Sequence, residues 1–184
     1  MNTQNQCKFV FTGCVGAGKT TAIKTLSDIP PVQTEARPSD EEIAARKPTT
    51  TVAMDYGRMT LSDGYIINLY GTPGQRHLEF MSDILSQGAV GLVILIDNSH
   101  GNPLAELDYY LQANHKFLAN GHCIVGVSHI DKAGGLEVAD YQQHLQQTGA
   151  RWPVSAVDSR DRQQLLDLLD QLLEAMESDE LKEA

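Results

Sequence analysis

Residues 13–20 read Gly-Cys-Val-Gly-Ala-Gly-Lys-Thr. The spacing G-x-x-x-x-G-K-T describes a loop whose glycines let consecutive backbone N–H groups turn inward around an anion, with a lysine and a threonine fixed at its end. Such a loop needs a buried strand feeding into it and a helix leaving it with its N-terminus aimed at the anion. The apolar run Phe9-Val10-Phe11 supplies the first, and Thr21 to Leu26 has the pattern of the second. This reading assigns Gly13, Val15, Gly16, Ala17, Gly18, Lys19, Thr20 and Thr21 to the phosphates of a nucleoside triphosphate. Lys19 brings charge to the β and γ phosphates, and Thr20 offers its hydroxyl to Mg²⁺.

Apolar runs and helical patterns alternate along the rest of the chain. Strands are expected at 7–11, 51–60, 65–70, 90–96, 122–128 and 152–154, and helices at 19–27, near 78–87, and at 104–119, 136–147 and 161–177. The alternation predicts a three-layer α/β fold of the P-loop NTPase kind, with a mostly parallel six-stranded sheet and helices on both faces. Ser62-Asp63-Gly64 joins two of the strands by a tight turn, so one antiparallel strand is expected at an edge. The last helix carries Leu165, Leu166, Leu168, Leu169, Leu172, Leu173 and Met176, a stripe that should dock on the sheet. Ile29 to Thr50 holds four prolines and mixed charge, and reads as a long functional loop.

At 184 residues the chain reads as a single domain, 1–184, with a core of about 7–177 and a short acidic tail, 178–184. A net charge of −10 without any Lys/Arg cluster argues against nucleic acid or an anionic membrane as a partner. The longest apolar run, Ala89 to Ile96, is far short of the ~20 residues of a membrane span. No lipidation signal or leader is visible, so a cytoplasmic protein without a direct membrane anchor is expected. Three cysteines without metal-type spacing fit reduced thiols.

The segments Lys47-Pro48-Thr49-Thr50-Thr51, Thr72-Pro73-Gly74-Gln75, Ser128-His129-Ile130-Asp131 and Ser155-Ala156-Val157 follow the phosphate loop in order. With them the sequence resembles a Ras-like small GTPase, closest to the bacterial group of gliding-motility and cell-polarity GTPases. The resemblance implies a G domain binding GTP/GDP and Mg²⁺. Thr51 would close on the metal and the γ-phosphate, the Gly74 N–H would meet that phosphate, and Gln75 would orient the attacking water, with Lys19 assisting. Metal ligands would be Thr20 and Thr51. It also implies a protein effector or regulator, with a small Roadblock-type GTPase-activating protein as one candidate.

Ser128, His129 and Asp131, with Ser155, Ala156 and Val157, resemble the base-reading motifs of the same family. A carboxylate accepts from guanine N1–H and the 2-amino group together, whereas adenine would leave it unpaired, so Asp131 should select guanine. Four residues depart from the family pattern. Ser128 and His129 replace Asn and Lys, Val15 would crowd the γ-phosphate and slow hydrolysis, and Gly71 replaces an aspartate of the Mg²⁺ shell. Arg37, Arg46, Arg58 and Arg76 are candidate arginine fingers. The expected function is a GTP-binding switch with slow hydrolysis. A non-hydrolysing GTP-binding scaffold and a P-loop kinase or ATPase using Asp97 as its metal-binding strand end stand as alternatives.

Overall fold

The computed structural model describes residues 5–34, 54–74, 80–131 and 135–183. In chain order the elements are β1 (Gln6–Gly13), α1 (Lys19–Leu26), β2 (Val32–Thr34), β3 (Met54–Thr60), β4 (Ile66–Gly71), α2 (Phe80–Leu85), β5 (Gly91–Asp97), α3 (Pro103–Ala113), α4 (His115–Leu118), β6 (His122–Ser128), α5 (Val138–Thr148), β7 (Val154–Ala156) and α6 (Arg162–Glu183). The strands form one sheet in the order β2-β3-β4-β1-β5-β6-β7. β4, β1, β5, β6 and β7 are mutually parallel, and β3 runs against both of its neighbours. The fold is thus the expected mostly parallel α/β sheet with one antiparallel strand. A further three-residue strand, β2, lies outside β3 in the stretch read as irregular, where neither alternation nor an apolar run announces it.

Every residue of β5 is buried, which requires cover on both faces of the sheet. α1 packs on β3, β4 and α6, α6 lies on β6, and α3 lies over β1 and β5. Leu165, Leu168, Leu169 and Leu172 are buried as the stripe predicts. Each contributes about 1.5–3 kcal/mol by leaving water. α1 comes close because the strands beneath it lack side chains at two points. A Cβ on Gly57 or Gly71 would stand 2.8 Å from Ile23.

Two boundaries differ from the sequence reading. The helix expected over 104–119 breaks at Asn114, whose buried side-chain amide donates to the Tyr110 carbonyl at 2.7 Å and competes with the helical ladder. The last helix runs on to Glu183, so the backbone of the stretch read as a tail continues α6. At its start, Arg162 donates to the Thr25 and Leu26 carbonyls at 2.8 and 2.6 Å and pairs with Asp28. The Thr25 hydroxyl donates to the Ser159 carbonyl at 2.8 Å, tying α1 to the loop that leads into α6.

The parallel strands all end on one edge of the sheet, which gathers Gly13, Gly71, Asp97, Ser128 and Ala156 there. In open α/β sheets this edge is where ligands bind.

Candidate nucleotide-binding site

The loop between β1 and α1 is shaped by its glycines. Gly13 has φ +137°, and a Cβ there would lie 2.0 Å from the Leu95 carbonyl oxygen on β5. Gly18 has φ +100°, and its Cβ would meet Ser159 Oγ at 2.3 Å. Lys19, only 7% exposed, donates from Nζ to the carbonyls of Gly13 and Cys14, both at 2.7 Å. Burial lowers its pKa from 10.5 to about 8, a shift opposed by the negative charges available at Cys14 and Asp55. The ammonium therefore sits at the loop, held by acceptors that phosphate oxygens can replace.

Beside it, Thr20 Oγ1 donates to Asp55 Oδ2 at 2.5 Å. Asp55 is 2% exposed and comes from β3, where it pairs in register with Gly71 of β4. A Cβ on Gly71 would stand 3.2 Å from Asp55 Cβ and 3.3 Å from Oδ2, as well as against Ile23. Gly71 therefore leaves room for a carboxylate delivered from the neighbouring strand. Sequence reasoning missed Asp55, although the tight turn fixes the hairpin register and places the two residues opposite one another. A buried carboxylate and a hydroxyl are oxygen donors of the kind Mg²⁺ takes together with phosphate oxygens and water. Among the described residues no group of three or more His, Cys, Asp and Glu could hold a metal by itself.

After β4 the chain stays on the loop. The Thr72 N–H donates to the Phe11 carbonyl at 2.9 Å and its hydroxyl to Thr12 Oγ1 at 3.0 Å. Gly74 lies so close that a Cβ would be 2.7 Å from the Val15 nitrogen and 2.9 Å from Lys19 Nζ. The Val15 side chain is 62% exposed. Thr51 and Gln75, together with Arg37, Arg46 and Arg76, lie outside the described residues.

A cleft of about 460 Å³ runs from the loop at Gly16, Gly18 and Thr21 to Ser128, His129 and Asp131, and on to Ala156, Val157 and Arg160. Of the expected base readers, His129, Asp131 and Ala156 are exposed along it. Ser128 Oγ donates instead to the Ile96 carbonyl at 3.2 Å, and His129, at φ +56°, places Nδ1 3.0 Å from Asp97 Oδ1. Asp97 also accepts from the Ser99 N–H and hydroxyl at 2.9 and 2.6 Å, so the strand-end carboxylate of the kinase reading serves the base end. The Ser155 hydroxyl donates to Gln171 at 2.6 Å and takes no part in lining the cleft. Buried Tyr141 holds the region from behind, donating to Asn98 Oδ1 at 2.7 Å, while Asn98 Nδ2 donates to the Leu136 carbonyl. A larger groove, about 620 Å³, lies by Trp152 and Gly149, where β7 starts and α5 ends, far from the loop.

Comparison with known proteins agrees with a site for nucleotide. Residues 11–178 match the family described as conserved hypothetical ATP binding protein. The chain belongs to that family. The match overturns the resemblance to Ras-like small GTPases and to their gliding-motility and cell-polarity group, and the G-domain label with it. What the chain shares with them is a phosphate loop, a Pro-Gly segment after a strand and a strand-end Asp, which fit one kind of ligand and do not define one family. The switch, the motility or polarity pathway and the Roadblock-type regulator rested on that resemblance. An uncharacterized protein of Methanocaldococcus jannaschii is 31% identical over 99 residues, covering 53% of this chain and 55% of that protein. The chain thus spans about half the length of this curated relative. No helix among the described residues is long and apolar enough to cross a membrane.

Proposed function

We propose that the protein binds a guanine nucleoside triphosphate with Mg²⁺ and hydrolyses it slowly. The observation that carries this reading is the single cleft joining the phosphate loop to Asp131. A carboxylate lining the same cleft as the loop can accept from N1–H and the 2-amino group of guanine, while adenine presents an acceptor at N1 and no 2-amino group. The loop N–H groups and Lys19 would bind the phosphates. Thr20 and Asp55 would hold Mg²⁺, which when bound neutralises charge on the β and γ oxygens. Gln75, next to the Gly74 that lies on the loop, is the candidate to orient the water, and the exposed Val15 side chain would crowd that position. A second reading, ATP as the ligand, is favoured by the description of the family.

Calorimetric titration with GTP and ATP, with and without Mg²⁺, separates the two. GTP should bind far more tightly, and Asp131→Asn should shift preference toward xanthosine triphosphate, whose 2-oxo group suits an amide donor. Equal affinities for GTP and ATP in the parent protein would hand the assignment to ATP.

A further inference from the structure

We propose that Arg160 is a base-reading residue: fixed by Asp158 at the rim of the cleft, its guanidinium donates to the 6-oxo group of a bound guanine. The inference rests on the guanine reading and supplies what that reading leaves open. Asp131 answers the two donors of guanine, but O6 is an acceptor and needs a donor of its own. Three of the nearby protein donors are spent elsewhere, and a fourth, the buried and unpartnered Ser159 hydroxyl, lies against Gly18 at the phosphate end of the cleft. The Ser128 hydroxyl is bonded to Ile96, the Ser155 hydroxyl to Gln171, and the Val157 N–H donates to the Val127 carbonyl at 2.9 Å.

Arg160 lines the same cleft and is held in place although its side chain is 82% exposed. Its Nε donates to both oxygens of Asp158 at 2.9 and 3.2 Å, its Nη2 to Oδ2 at 2.7 Å, and its backbone N–H to Oδ1 at 2.9 Å. These bonds hold the Asp158 carboxyl at about 2, so the clamp stays charged across the physiological range. Nη1 bonds no partner among the described residues and keeps its protons for a ligand. Asp131 lies near enough for its charge to favour the Arg160 cation. On the purine ring O6 is the neighbour of N1, so a donor beside the carboxylate that takes N1–H is in register with O6. Adenine carries an amino group at that position, and its hydrogens would face those of the guanidinium. A planar, preorganised fork suits this task better than a lysine, whose ammonium is a mobile point charge.

The bland alternative is a brace for the loop leading into α6, a role that would show in stability and not in base preference. Titrating the full chain with Mg²⁺ and GTP, ITP or ATP, as parent, Arg160→Ala and Arg160→Lys, distinguishes them, with thermal melting alongside. ITP keeps the 6-oxo group and N1–H but lacks the 2-amino group. Arg160→Ala should weaken GTP and ITP alike, by roughly ten- to a hundredfold. ATP affinity and Tm should stay unchanged, and Arg160→Lys should recover only part of the loss. An unaltered GTP affinity in a parent that prefers GTP would overturn this inference alone. An equal loss for ATP would overturn it too, leaving a general attraction for phosphate, and a lowered Tm with base preference retained would leave only the brace. A parent that binds GTP and ATP equally would remove the guanine reading itself and this inference with it.

Discussion

The two ends of the cleft are built in opposite ways. At the phosphate end the two charged groups are buried and already bonded to protein: Lys19 is 7% exposed and Asp55 2%. At the base end His129, Asp131 and Arg160 stand in solvent on loops, and the Arg160–Asp158 ion pair there stays in water. Screening makes exposed pairs weak contributors to stability. The difference teaches where fold and function overlap. Groups at the phosphate end belong to the sheet and α1, so altering them alters the framework as well as the ligand. Groups at the base end are carried by that framework and are free to set selectivity.

The strongest way to break this contrast is Gly13→Ala. The new Cβ would lie 2.0 Å from a backbone oxygen, at φ +137°. A cost of about 3 kcal/mol or more is expected, seen as a large fall in Tm or failure to fold. Gly16→Ala, also at positive φ but with open space around it, should cost only about 1–2 kcal/mol. Similar melting of the two variants would mean that β1 and β5 do not constrain the loop as described.

Lys19→Ala comes next, with nucleotide affinity falling on the order of a hundredfold or more while the protein remains folded. The pH dependence sharpens the test. The folded pKa of about 8 lies below the unfolded 10.5, so the unfolded chain binds more protons between these values. The stability cost of the buried ammonium is therefore full below about 8 and is relieved as pH rises toward 10.5. Binding should run the other way, because phosphates favour the charged lysine. Affinity should decline above about pH 8, approaching roughly tenfold per unit, and this slope should vanish in Lys19→Ala. A slope that survives the substitution would assign the titration to another group.

Asp55→Asn should have a smaller effect than Gly13→Ala or Lys19→Ala. The amide fills the same space and its oxygen still accepts from Thr20, so Tm should move by only a few degrees. Mg²⁺ affinity in the presence of triphosphate should fall about tenfold, as when a group supporting a metal site is lost. Unchanged Mg²⁺ dependence would return Asp55 to a purely structural role.

The phosphate loop was legible because its information is local: the spacing of Gly13, Gly16, Gly18, Lys19 and Thr20 specifies the turn. Asp55 was not, because it reaches Thr20 only through the register of a hairpin, and on β3 it is a charged residue in the buried phase of the alternation with Gly57 and Met59. Arg160 gave no signal, since an exposed arginine in a loop looks like any other until Asp158 is seen to hold it. β2 was hidden by its length, and the break at Asn114 by a side chain that competes with the helix from within. The resemblance to a named family went astray for a related reason. The motifs that carried it report what a phosphate and a base require, and unrelated pathways share those requirements.

The bond from Thr25 to Ser159 joins residues 134 positions apart in the chain. During synthesis the phosphate loop and α1 emerge early, and the segment that braces them and closes the cleft emerges only after β7. A nascent chain therefore carries a nucleotide loop well before it carries a nucleotide site. Domains with such long-range closure pay their loop entropy late in folding. Ligand capture should accordingly mark completion of the domain, and a ribosome-stalled chain ending before Ser159 should pass nucleotide by.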